Sequence, residues 1–319
     1  MKTDKINSEF IEARKSRLAM VSVIDTLSGI LPLSKDAIYR RLRGEVLFSY
    51  SEAVVIAQNL QISLDEVGLG ATDYALCGTN IPTFAISEAA YIEILNHWIG
   101  HIARFQNKEL AHFYVSTGGL PISLLTSYPN LLKLSYYISL YEKGDIYDKY
   151  GKFSETVISP DLLSTLSNIT ALFQNINSTY ILSENPFTYY LKQIQYLHEL
   201  ELLDENNIKQ IKEELYSLAN DFKLIAASGK YKTGYHVDFY LSKVRVDASF
   251  GLFEDGPYSI AFIRMLGMNY RLTRNMEVIK THRRSFDNMK HFATLISKSG
   301  SSRRKLFFEE QKIIIDQIG

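Results

Sequence analysis

The clearest structural signal in this chain is one stretch near the N-terminus, which reads Ser34-Lys35-Asp36-Ala37-Ile38-Tyr39-Arg40-Arg41-Leu42-Arg43-Gly44-Glu45. Ser34 is a residue type that caps helices at their N-terminus, and a glycine such as Gly44 often follows a last helical turn. Ile38 and Leu42 are four residues apart, which gives a helix one inward face. The pattern therefore predicts a short helix over 35–43 that turns basic and aromatic side chains outward, as a helix that reads a DNA groove requires.

The segments on either side of this stretch also have helical spacing. Apolar residues recur at helical intervals over 8–29, and two shorter segments of the same kind follow at 51–59 and 64–69. We therefore expect about five short helices in residues 1–70. Gly68, Gly70 and Gly78 with Pro82 predict a linker to a second domain over residues 71–83.

The order of these helices, the Ser-x-x-x-Ile-Tyr-Arg-Arg-Leu-Arg-Gly-Glu sequence and the tail Ala57-Gln58-Asn59-Leu60-Gln61-Ile62-Ser63-Leu64-Asp65-Glu66-Val67 together resemble a known family. It is the phage-repressor type of helix-turn-helix, the XRE or lambda-repressor-like family, in which the recognition helix ends at an Arg-Gly step. The resemblance covers about residues 8–70. It implies a five-helix helix-turn-helix domain that binds double-stranded DNA, with the recognition helix in the major groove.

The resemblance also implies which residues contact DNA. The family's base-reading positions fall on Lys35, Asp36, Ala37 and Arg40, and its phosphate contacts fall on Ser34, Tyr39 and Arg43. Residues at the start of a recognition helix reach base edges, while flanking hydroxyl and basic groups fix the helix on the backbone. Arg41 occupies a position that is usually apolar in the family, so we expect either a slight rotation of the helix or a phosphate contact from Arg41.

The second domain, residues 84–319, is predicted to be mostly helical. Apolar periodicity predicts helices from about 84 to 227, and aromatic and β-branched segments predict a small antiparallel sheet at about 235–273, followed by two further helices. Within 205–227 the apolar residues alternate at spacings of three and four, which is typical of a core-facing helix or of a dimer seam. The predicted fold is mainly α: a five-helix lambda-repressor-like domain followed by a helical bundle with a small antiparallel sheet.

Charge is unevenly distributed although the formal net charge is zero. Residues 264–305 contain eleven basic and two acidic side chains. This stretch includes a glycine- and serine-rich turn at a predicted helix start, which offers an anion site formed by Ser299, Ser301, Ser302, Arg303 and Arg304. The alternative is an ordinary capped and solvated helix start.

Other chemistry is weakly indicated. His97 and His101 have a spacing that suits a metal ion, but no third ligand is evident, and hydrogen-bonded histidines are the favoured interpretation. We expect no metal site, no cofactor and no catalytic residues, because no nucleophile lies beside a base and no nucleotide-binding fingerprint is present. The single cysteine excludes an intrachain disulfide. Without an apolar run of membrane-spanning length or a signal sequence, we expect a cytoplasmic protein with no membrane contact.

Together these patterns favour a transcriptional regulator that binds a specific DNA site through the predicted helix-turn-helix. We expect a homodimer, and a second domain that dimerises or senses an unknown small-molecule or anionic effector. The alternative is a protein-interaction module, a scaffold or antitoxin-like protein, whose helix-turn-helix does not bind specific DNA.

Overall fold

The computed structural model describes residues 20–60, 64, 87–125, 127–141, 151–244, 246, 249–256, 258–264 and 270–319. The chain divides into two compact units, residues 1–76 and 77–319. The predicted linker at 71–83 lies outside the described residues.

The described part of the N-terminal unit contains three helices: α1 (Met20–Ile30), α2 (Lys35–Leu42) and α3 (Tyr50–Leu60). They pack on a small core of Val23, Leu27, Leu31, Ile38 and Ile56. The prediction of five helices is therefore corrected to three for this part of the chain. The segments predicted at 8–19 and 65–69 lie outside the described residues.

The second unit is built on one seven-stranded mixed sheet. Its strands are β1 (His112–Thr117), β2 (Asn177–Ser183), β3 (Val237–Ser242), β4 (Phe250–Asp255), β5 (Tyr258–Arg264), β6 (Tyr270–Thr273) and β7 (Ala293–Leu295). Its described α-helices are α4 (Glu88–Ile102), α5 (Pro129–Tyr141), α6 (Pro160–Phe173), α7 (Thr188–Glu199), α8 (Glu205–Ser228), α9 (Met276–His291) and α10 (Ser301–Asp316).

The strand order is β6-β5-β4-β1-β2-β3-β7. β1, β2 and β3 are parallel neighbours, and helices α5 to α8 form the two connections between them. β4 lies antiparallel beside β1, β5 and β6 continue outward from it, and β7 closes the other edge beside β3. The parallel strands thus form the centre of the sheet.

Helices cover both faces of this sheet. One face, which includes Phe113, Tyr180 and Phe239, packs on the helices α4 to α8 and α10 in the larger core. The opposite face packs on α9, whose Ile279 and Phe286 contact a second cluster. The unit therefore has three layers, helix on sheet on helix.

The prediction of a mainly α fold with a small antiparallel sheet is wrong for this unit. The sheet has seven strands and a parallel centre, because the prediction missed β1 and β2. In each of these two strands, five consecutive residues are buried, so neither shows the alternation of apolar and polar residues that marks a half-exposed strand. β7 was also missed: the first of the two helices predicted after the sheet was expected to run over about 276–297, but it ends at His291 and β7 follows it.

Helix α8 contains the apolar seam for which two interpretations were open. Ile208, Ile211, Leu215, Leu218 and Phe222 are buried in the core of their own chain. The seam is therefore the core-facing side of α8 and is not available to a second copy. Among the described residues, no helix is long and apolar enough to cross a membrane.

Candidate nucleic-acid interface

Local interactions set both ends of α2. The hydroxyl oxygen of Ser34 accepts a hydrogen bond from the backbone N–H of Ala37 at 3.2 Å, which is an N-cap. The backbone N–H of Arg43 donates to the carbonyl of Tyr39 at 3.0 Å at the other end. Gly44 follows with φ +79°, a left-handed conformation that glycine adopts without steric cost. The helix is therefore held at the position that the sequence pattern indicates.

One face of α2 is anchored and the other is open. Ile38 is completely buried in the core of the N-terminal unit. On the open face, the exposed fraction of the side chain is 70% for Lys35, 56% for Arg40 and 60% for Arg43. The guanidinium of Arg43 lies 5.3 Å from the centre of the Tyr39 ring, which is itself half exposed. We call Lys35, Tyr39, Arg40 and Arg43 the α2 cationic face.

Carboxylates lie beside each cation of this face. Lys35 Nζ is 2.5 Å from a carboxylate oxygen of Asp25, and the carboxylate of Glu45 is 3.5 Å from Arg40 and 3.4 Å from Arg43. All of these groups are exposed, and exposed ion pairs contribute only about 0–1 kcal/mol. These weak pairs therefore leave the cations accessible to another anion.

Arg41 faces away from this surface. Its guanidinium donates two hydrogen bonds to the carboxylate of Glu52 on α3, at 3.2 and 3.0 Å, and a third to the carbonyl of Ala37 at 3.3 Å. Only 17% of the Arg41 side chain is exposed. The structure therefore does not present Arg41 for the expected phosphate contact. Its guanidinium instead joins α2 to α3.

The same carboxylate caps α3. The backbone N–H of Ser49 donates to Glu52 at 2.8 Å, while the Ser49 hydroxyl accepts from the Glu52 N–H at 3.2 Å. Burial acts to raise the pKa of Glu52, but the hydrogen bonds from Ser49 and Arg41 outweigh it and hold that pKa below its ordinary value. This capping box, with Arg41, fixes the angle between the two helices.

Two further predicted contact residues lie on α2, and one exposed residue that was not predicted lies on α3. Asp36 is exposed in the first turn of α2, and Ala37 is half-buried. Tyr50, which the motif did not indicate, starts α3 and is 82% exposed. Its exposure is a property of the folded unit, which the sequence pattern does not report.

The turn predicted as an anion site is held together within the second unit. Arg303 donates to the carboxylates of Glu310 at 3.2 Å and Glu184 at 3.4 Å, and Arg304 donates to the backbone carbonyls of Ile296 and Lys298 at 2.7 and 3.1 Å. The carbonyl of Ser299 accepts from the N–H of Ser301, and Ser302 is exposed at the start of α10. Both guanidinium groups therefore have partners inside the fold.

The basic stretch at 264–305 does not form one surface. Arg283 lies on α9, where it pairs with Glu254 at 2.8 Å, and Arg303 lies on α10, which packs on the opposite face of the sheet. Arg264 ends β5. The charge excess is therefore distributed over two strands, two helices and the segments between them.

The two histidines considered for a metal ion are in direct contact. The Nε2 atoms of His97 and His101 are 3.1 Å apart. Burial, together with the charge of His97, lowers the pKa of His101 to about 4. Among the residues that the structure describes, no group of three or more metal-ligating side chains comes together.

In comparisons with known proteins, no protein-family model matches this chain, and no curated protein sequence matches it.

Proposed function

We propose that this chain is a sequence-specific regulator that binds double-stranded DNA through the α2 cationic face. The observation that carries the proposal is that one side of a capped helix is locked into a core by Ile38, while its other side presents three cations and an aromatic ring. A helix of this width fits the major groove of B-DNA.

The chemistry of each side chain suggests a division of work on the duplex. The guanidinium of Arg40 suits the two acceptors on the edge of guanine, and such a pair typically discriminates between bases by ~1–3 kcal/mol. Arg43, with the Tyr39 ring beneath it, is placed at the end of the helix, where contacts to phosphate set the register. Lys35 lies at the start of α2, the part of a recognition helix that approaches base edges.

A homodimer is part of the proposal. One helix with this few side chains makes few base contacts, so useful affinity requires two copies on a pseudo-palindromic site. Two such helices would read half-sites about one helical turn apart, roughly 34–36 Å.

The first experiment is selection of the purified full chain against a random double-stranded DNA library at low and at physiological salt. We expect an enriched motif with two half-sites about 10 base pairs apart, and affinity that falls steeply with salt because phosphate contacts release counterions.

The decisive variant is Arg40→Ala with Arg43→Ala. We expect it to bind the selected site about 100-fold more weakly, because it loses one base contact and one phosphate contact. The matched control is Lys209→Ala with Lys223→Ala, which removes two exposed positive charges from α8 and should bind like the unaltered chain. If no motif is enriched at either salt, or if the arginine variant still binds it, the α2 cationic face has another use, and the protein-interaction alternative takes its place.

A further inference from the structure

The second unit has a cavity at the carboxyl ends of its parallel strands. β1 ends at Thr117 and β2 ends at Ser183. β3 ends beside Ser183 and β4 begins beside Ser116. Val246 and Ser249, two described residues between β3 and β4, lie at these strand ends: the Ser249 hydroxyl is 3.2 Å from that of Thr117, and the Val246 carbonyl lies against Gly118. In open α/β sheets, ligands commonly bind at this edge.

The cavity is large enough for a small organic molecule. Its volume is about 710 Å³, within the roughly 300–1,000 Å³ typical of such sites. The interior is mainly aromatic and aliphatic, and Trp98, Phe113, Tyr180 and Phe262 are among the buried side chains that line it. A ligand with an apolar body is therefore expected.

Among the lining residues that the structure describes, both charged side chains are positive. Lys192 is exposed on α7, and Arg264 is half-buried at the end of β5. Burial raises the pKa of the Tyr91, Tyr190 and Tyr270 hydroxyls, and the charge of Arg264 partly offsets this. The positive charge of the Arg264 guanidinium therefore reaches the interior of the cavity, where the tyrosine hydroxyl groups remain protonated at neutral pH.

We propose that this cavity binds a small organic carboxylate with an apolar body, its carboxylate held by Arg264 and its body packed against Trp98 and Phe262. A planar guanidinium matches a carboxylate with two parallel hydrogen bonds. Of the described lining side chains, Arg264 is the one half-buried cation among many apolar groups, which suits one negative charge on a hydrophobic molecule. A polyphosphate would need several cations, and an organic cation would need a carboxylate or an aromatic cage free of positive charge.

The chain has one built-in reporter for this site. Trp98 is the only tryptophan, and its ring centre lies 5.3 Å from that of Phe262 and 4.4 Å from that of Tyr270. Because the chain has no second tryptophan, a change in tryptophan fluorescence reports on the surroundings of Trp98, which lines the cavity. The assay contains no DNA, so its result is independent of the DNA-binding proposal.

The experiment compares two acids with their neutral counterparts on the full chain. The probes are octanoate against octan-1-ol and 4-phenylbutyrate against 4-phenylbutan-1-ol, which leave tryptophan excitation unobscured. Titrations follow Trp98 fluorescence and are repeated by calorimetry. We expect each acid to bind about tenfold or more tightly than its alcohol, because the charge-assisted hydrogen bonds to the guanidinium are lost in the alcohol.

The variant Arg264→Gln tests which residue supplies this preference. We expect the ratio of acid to alcohol affinity to fall to about one in this variant, since the charge is removed, and to recover in part in Arg264→Lys. The control is Arg284→Gln on α9, an exposed arginine outside the cavity lining, which should keep the ratio of the unaltered chain.

The proposal is overturned if no probe changes the Trp98 signal or releases heat, or if the alcohols bind the unaltered chain as tightly as the acids. The comparison on the unaltered chain decides the ligand class even if Arg264→Gln fails to fold. An acid preference that survives in folded Arg264→Gln would overturn the assignment of the anion contact to this residue.

Discussion

At the scale of single residues, Glu52 illustrates how one side chain serves two helices. Its carboxylate accepts hydrogen bonds from the N–H of Ser49, which belongs to the start of its own helix, and from Arg41 on the preceding one. Both partners favour the charged form of the carboxyl group. The contact that orients α2 therefore depends on whether the Glu52 carboxyl group is ionised. An exposed glutamate has no such effect on a helix.

Replacing Glu52 with glutamine is expected to destabilise the described helices of the N-terminal unit at neutral pH. The substitution leaves the partly buried Arg41 charge without a counter-charge, and a loss of about 1–3 kcal/mol is typical for such a group. The measurement is urea unfolding read by pulsed hydrogen exchange of peptides from 20–60. Glu45→Gln, which alters an exposed ion pair, is the control and is expected to change the stability by less than about 0.5 kcal/mol.

The same substitution also tests the pH dependence. The folded pKa of Glu52 is lower than its ordinary value of 4.5, so the unfolded chain takes up the proton first as the pH falls. The stabilisation is complete above about pH 4.5 and is lost as the pH falls through the folded pKa. Glu52→Gln should lack this part of the acid-induced loss. Parallel stability curves for the two proteins in this range would refute the assignment.

At the scale of elements, the strands that could be predicted are those with one exposed side or a recognisable turn. The β4–β5 hairpin follows from the Glu254-Asp255-Gly256-Pro257 turn between two aromatic segments. β1 and β2 could not be recognised, because strands buried on both faces look like segments of buried helix. The register that joins them also depends on residues far apart in the chain, such as Tyr114 and Thr179.

Helix α9 packs on one face of the sheet, so its central aromatic residue is expected to matter for stability. Phe286 is completely buried, with ring centres 4.9 Å from Phe250 and 5.7 Å from Tyr114. Phe286→Ala should destabilise the second unit by about 3–5 kcal/mol, through lost burial and the cavity left behind. Urea unfolding followed by Trp98 fluorescence measures the loss.

The matched control for this helix is Phe292→Ala. Phe292 follows the end of α9 and is 66% exposed, so its removal should change the stability by no more than about 0.5 kcal/mol. Equal unfolding midpoints for the two variants would contradict the assignment of α9 as a packed layer of the sheet.

At the scale of the whole molecule, the two candidate sites differ in how far the sequence can reveal them. The α2 cationic face comes from nine consecutive residues, Lys35 to Arg43, and helical spacing alone separates its open side from Ile38. The cavity draws its lining from segments as far apart as Tyr91 and Tyr270, which only the folded sheet brings together. A local sequence pattern therefore predicts the α2 cationic face, whereas no local pattern contains the residues that line the cavity.

The two units have separate hydrophobic cores, so damage to one is expected to spare the other. Ile38→Ala should lower the stability of residues 20–60 by about 2–5 kcal/mol, because Ile38 is completely buried in the smaller core. Pulsed hydrogen exchange reads this loss, while the unfolding midpoint seen by Trp98 should stay unchanged. A matching shift in the Trp98 midpoint would show that the units unfold together.

The order of strands also has a consequence for synthesis of the chain on the ribosome. β1 stands in the middle of the sheet, yet both of its neighbours, β2 and β4, are translated after it. At typical elongation rates of about 5–20 residues per second, β1 waits on the order of ten seconds for β4 to emerge. During that time one edge of an apolar strand is unpaired, and such an edge is a template for wrong pairing with another chain. Chaperones that bind extended apolar segments would act on this nascent protein before residue 250 is made.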